Sequence, residues 1–160
     1  MIWRSPRRTD AEMTSVPTIF LVHGHDTGLR EKVENQLRRW ISPVEVVILD
    51  QQASRGQTLV EKFEEHAGTA TFAIVLATPD DEGKARDATQ LKPRARQNVV
   101  FEMGYFFAML GRGRVAVVNT GVEQPSDVAG IAYIDLNLSD WRQRLGRELN
   151  AAGIQGDWLK

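Results

Sequence analysis

The chain has 160 residues, which fits one domain on the usual range of about 100–200 residues per domain. Twenty Lys and Arg against 21 Asp and Glu leave a formal charge of −1, so nothing electrostatic favours DNA, RNA or an anionic membrane as partner. There is no cysteine, which excludes disulfides, iron–sulfur clusters and thiolate zinc sites.

Residues 1–17 are polar, carry two prolines and show no periodicity; they read as a tail or linker rather than a signal peptide. No apolar run approaches the ~20 residues that span a bilayer. A cytoplasmic protein is expected. The sequon at Asn137 carries no weight without an export signal.

Five short apolar runs follow: Thr18–Val22, Val44–Leu49, Thr71–Ala77, Val115–Val118 and Ile131–Ile134. They are continuous rather than alternating, as suits strands covered on both faces. Helical patterns lie between them. Leu29, Val33, Leu37 and Ile41 recur at helical spacing. Thr58 and Glu61 form a capping box ahead of Leu59, Val60 and Phe63. Trp141, Leu145 and Leu149 make a further stripe, with Ser139 as its expected cap. The residues after 152 contain Gly153 and Gly156 and are expected to fray, unless Trp158 docks. The alternation predicts a single α/β domain over residues 18–152, with a five-stranded parallel sheet of flavodoxin-like order 2-1-3-4-5 and helices on both faces. Ligands then bind beyond the carboxyl ends of the strands, at the switch between the first and third.

The loops at those ends carry the polar chemistry. The first strand runs into His23–Gly24–His25–Asp26–Thr27–Gly28. Gly24 permits close backbone approach, and Asp26 or Thr27 can cap the next helix. A plain turn with a cap explains this segment as well as a ligand does; His23, His25 and Asp26 could also begin a metal shell, with no third histidine nearby to close it. Asp50–Gln57 is a polar loop in which Arg55 could reach a phosphate or a neighbouring subunit. Residues 78–97 form a long charged connection with Thr78, Asp80 and Asp81 at its start and Arg94 and Arg96 at its end. Such length inside a compact domain is more often functional than average; a solvated lid is the plainer alternative.

From Val99 to Leu110 only Glu102 is charged. The helix is apolar on nearly every face and belongs largely inside. A lone carboxylate there is costly unless paired or set at the lip of a cleft. A structural pairing with Arg94, Arg96 or a helix N-terminus competes evenly with a catalytic role. Asn98 precedes Glu102 by four residues, on the same side.

Several devices are missing. Gly-x-Ser-x-Gly, Gly-x-Gly-x-x-Gly and Walker A sequences do not occur. The paired acids of a phosphate-accepting receiver are absent too.

Three segments together, the His23–Asp26 loop, Leu76–Asp81 and above all Lys92–Phe106, resemble the bacterial TIR-like predicted nucleotide-binding family of antiphage effectors, the STING-linked and Pycsar-type proteins. The resemblance spans about residues 17–152. It implies an NAD glycohydrolase that needs no cofactor, takes NAD+ as substrate, self-associates into an active oligomer, and answers to an attached or partner cyclic-nucleotide sensor. It places Glu102 as the catalytic residue. It assigns the dinucleotide-contacting rim to Gly24, His25, Asp26, Arg55, Thr78, Asp80, Asp81, Arg96 and Asn98. No complete sensor domain is expected before residue 17 or after residue 152. A non-catalytic TIR interaction module and a nucleoside deoxyribosyltransferase-like enzyme are the alternatives.

Overall fold

Continuous apolar strands dictate a sheet buried on both sides, and the computed structural model has one. It describes residues 15–52, 55–56, 58–125 and 130–159; most of the expected N-terminal tail lies outside these, as do residues 53, 54 and 57 of the polar loop. In chain order the elements are β1 (Thr18–Val22), α1 (Thr27–Trp40), β2 (Glu45–Val47), α2 (Leu59–Ala67), β3 (Phe72–Ala77), β4 (Asp81–Gly83), β5 (Lys92–Arg94), α3 (Gln97–Leu110), β6 (Val115–Asn119), β7 (Ala132–Asp135) and α4 (Trp141–Ala151). The main sheet is parallel throughout, ordered β2-β1-β3-β6-β7. That is the expected 2-1-3-4-5 order once the small antiparallel β4–β5 hairpin is set apart.

Residue parity sorts the core. Ile19, Leu21, Ile74, Leu76 and Val118 face α1 and α4. Phe20, Val22, Ala73, Val75 and Val117 face α2 and α3. The layers are therefore helix, sheet, helix, and β1 beside β3 is the point where the winding reverses. Leu145 on α4 is 0% exposed. Replacing it with alanine is expected to cost about 2–5 kcal/mol, read as a lowered urea midpoint; an unchanged midpoint would mean that α4 is peripheral.

Local chemistry sets the helix ends. Asp26 Oδ1 accepts from the Leu29 amide at 2.8 Å and starts α1. The Thr58–Glu61 capping box is complete. Two expectations change. The residue at the start of α4 is Asp140, not Ser139; it makes no capping hydrogen bond and instead accepts from Arg144 Nε at 2.8 Å. Val60 does not join the apolar stripe of α2 but stands 57% exposed.

The segment after residue 152 does not fray. Ile154 is buried, the Asp157 amide donates to the Trp40 carbonyl at 2.8 Å, and the Trp158 ring meets Trp40 edge-on at 5.6 Å. Trp158 also lies 3.1 Å from where a Cβ at Gly146 would be, so the missing side chain on α4 makes its seat.

Candidate functional site

The first and third strands both end in polar turns, and their adjacency in the sheet brings those turns together. Asp80 Oδ2 accepts from Thr78 Oγ1 at 2.6 Å and from the His25 amide at 3.3 Å. A methyl group at Gly24 would collide with that carboxylate, so the glycine is what admits Asp80. Across the cluster Arg96 Nη1 lies 2.7 Å from His25 Nε2. A guanidinium can only donate, so Nε2 accepts and the His25 proton sits on Nδ1. Arg96 is the residue that opens α3. One network thus ties the ends of β1 and β3 to the start of the helix that carries Glu102.

Glu102 is partly buried on α3. Among the described residues no hydrogen bond or ion pair reaches it, and desolvation pushes its pKa up to about 7. The pairing with Arg94 or Arg96 that would have made it structural does not form. Arg94 instead donates to Glu123 at 3.0 Å. Helical spacing puts Asn98, Glu102 and Tyr105 along one side of α3, and the Tyr105 ring contacts Phe63 of α2 at 4.8 Å. That side consequently looks toward α2. Met103 and Phe106, on the next side, are buried in the core and hold the helix down.

Gly24, His25, Thr78, Asp80 and Arg96 are therefore gathered directly, and Asp26 adjoins them as the α1 cap. Asn98 is exposed, one turn before Glu102. Two rim residues stand apart. Arg55 is exposed, has φ 47°, and lies 3.9 Å from Glu65 rather than on the network. Asp81 begins β4 and lines a groove on the other side of α3, away from Glu102. The metal alternative has no geometry behind it. His23 Nδ1 lies 2.7 Å from the Gly24 carbonyl and its Nε2 is 3.6 Å from Asp50, whereas His25 turns to Arg96. Among the described residues no three such side chains converge.

Sequence reasoning passed over the clamp made by His23, Asp50 and Arg30. Arg30 Nη1 donates to Asp50 Oδ2 at 3.3 Å, which anchors the root of the polar loop to α1. The available signal was position: Asp50 is the first charged residue beyond the second apolar run.

The family model for the CAP12/Pycsar effector protein TIR domain matches residues 18–138. The chain belongs to that family. This TIR domain is 44% identical over 143 residues to the Escherichia coli (strain K12) protein YuaY, covering 87% of the chain and 46% of YuaY. It is 33% identical over 144 residues to Dictyostelium discoideum protein tirC, covering 82% of the chain and 69% of tirC. The Pseudomonas aeruginosa Pycsar effector protein PaPycTIR is 35% identical over 99 residues, which are 60% of the chain and 32% of PaPycTIR. The TIR domain thus spans less than half the length of two of these three relatives. No helix among its described residues is long and apolar enough to cross a membrane.

Proposed function

We propose that this TIR domain cleaves the bond between nicotinamide and ribose in NAD+, with Glu102 as the catalytic carboxylate, and that it serves as a cytoplasmic antiphage effector switched on by self-association. The observation that carries the reading is the Glu102 carboxylate, set on an apolar helix, without a hydrogen bond or ion pair among the described residues, its pKa pushed up by desolvation. Kinship with proteins named Pycsar effectors supports it, and a cyclic-nucleotide sensor, attached or separate, is the matching trigger.

Scission of the glycosidic bond develops positive charge on the ribose. The ionised Glu102 carboxylate stabilises that charge and holds the ribose hydroxyls, and low-dielectric surroundings strengthen both effects. Nicotinamide departs neutral with the bonding electron pair. Water adds to the anomeric carbon, giving ADP-ribose and one proton. The cationic nicotinamide ring of bound NAD+ favours ionisation of a carboxyl otherwise half-protonated at neutral pH. His25, Asp80 and Arg96 fix the loop that faces the dinucleotide, Arg96 supplying positive charge for its pyrophosphate.

Nicotinamide release by the purified domain, assayed both dilute and under forced clustering, tests the reading; no release in either state refutes it. Arg96→Ala is expected to raise the KM for NAD+ about 10- to 100-fold, as for a lost charge-assisted hydrogen bond, with kcat changed much less. A loss confined to kcat would move Arg96 from substrate binding to the chemical step.

A further inference from the structure

A parallel crossover in a doubly wound sheet usually carries a helix that covers the sheet. The link from β6 to β7 comprises residues 120–131, and none of its described residues is helical. It is tied down at Glu123. The Glu123 amide donates to the Pro93 carbonyl at 3.0 Å, and its carboxylate accepts from Lys92 at 2.9 Å and Arg94 at 3.0 Å. Between Val122–Pro125 of this link, the β4–β5 hairpin and α3 lies a groove of about 900 Å³. That is within the range of about 300–1,000 Å³ typical of small-molecule sites.

Its floor is apolar: Val75, Ala77, Val117 and Met103. Tyr133 stands among them with its hydroxyl buried and without a hydrogen-bond partner. A buried hydroxyl in that state calls for a ligand or water to complete it. Desolvation pushes its pKa up, so it stays neutral and able to donate. The lining charges are Asp81, Glu82 and Glu123 against Arg94. An excess of carboxylates repels phosphate. Glu102 is not part of this lining; the groove takes Val99, Val100 and Met103 of α3 instead.

We propose that this groove is a second ligand site, for an uncharged planar nitrogen heterocycle of nucleobase size whose ring acceptor or exocyclic group hydrogen-bonds Tyr133. The apolar floor takes the ring faces, the hydroxyl fixes orientation, and the acidic rim excludes phosphorylated forms. The proposal is independent of the chemistry at Glu102.

The test uses the full chain carrying Glu102→Gln, so that the outcome does not depend on turnover. Adenine is the probe, followed by saturation-transfer NMR and titration. A Kd on the order of 1 mM is expected for so small a ligand. Tyr133→Phe should weaken binding about tenfold, the scale of one hydrogen bond. Val100 is 41% exposed at the rim; Val100→Trp fills the groove from outside the core and should abolish the signal. Adenosine monophosphate should bind more weakly than adenine. Absence of saturation transfer, adenine binding untouched by both substitutions, or adenosine monophosphate binding as tightly as adenine would each overturn the assignment.

Discussion

Glu102→Gln is expected to lower kcat for NAD+ cleavage by about 10²–10⁴, the range seen when a single positioned acid–base group is lost. The amide keeps the size and hydrogen-bonding reach of the side chain but cannot carry the negative charge that opposes the ribose cation. Nicotinamide release in protein of equal purity measures it, and turnover within threefold of the parent would remove Glu102 from the mechanism. The same substitution makes a second, purely thermodynamic prediction. An unfolded glutamate loses its proton near 4.5, whereas the folded Glu102 holds it to about 7. Between those values the unfolded chain binds fewer protons, so the folded state loses stability as pH rises through the window and levels off above it. Removing the charge should therefore raise the melting temperature at pH 8 and leave it unchanged at pH 4. The gain is about 1–3 kcal/mol after allowance for partial exposure, which corresponds to about 2–4 °C per kcal/mol at this chain length. On the proposed mechanism kcat/KM for NAD+ should also rise as pH passes through 7, because the ionised carboxylate is the working form there.

Phe106→Ala is expected to be the most damaging of the stability changes. Its ring is 0% exposed and meets Phe20 of β1 at 4.8 Å, Phe63 of α2 at 5.6 Å and Tyr105 at 6.0 Å. Truncation empties the joint between two helices and β1, at about 3–5 kcal/mol. Urea denaturation followed by tryptophan fluorescence and circular dichroism reads it. Phe106→Leu should cost far less. Because Phe106 fixes the helix that presents Glu102, cleavage should fall in the alanine variant even well below its melting temperature; an intact rate would uncouple the packing from the site.

Strand sequence was informative because both faces are buried: apart from Thr18 and Asn119 at the strand ends, each residue of β1, β3 and β6 is apolar, whatever its parity. The β4–β5 hairpin left no such trace. Asp81–Gly83 and Lys92–Arg94 are short, mostly exposed and charged, and Pro93 sits inside the second strand; nothing alternates. The lone acid on α3 stood out in the sequence, since charge in an apolar helix is rare. Its lack of a partner among the described residues could not be read there, because Arg94 and Arg96 both lie close in sequence and only the fold sends them to Glu123 and His25. The docking of Trp158 depends on a glycine twelve residues earlier in the chain, a relation that local periodicity does not carry. The groove beside Tyr133 is likewise formed by segments far apart in the chain, from Val75 to Tyr133.

The docked carboxyl-terminal segment has an architectural consequence. Trp40, on which it rests, is the last residue of a helix that runs back from the strands' carboxyl edge, and Thr18 opens β1 at that same far edge. Polypeptide appended at either end of the domain thus departs from the rim opposite Gly24 and Asp80. A fused module, such as the extra length of the larger relatives, would be tethered across the sheet from the Gly24–Asp80 turns, leaving that end of the domain uncovered by its own tether.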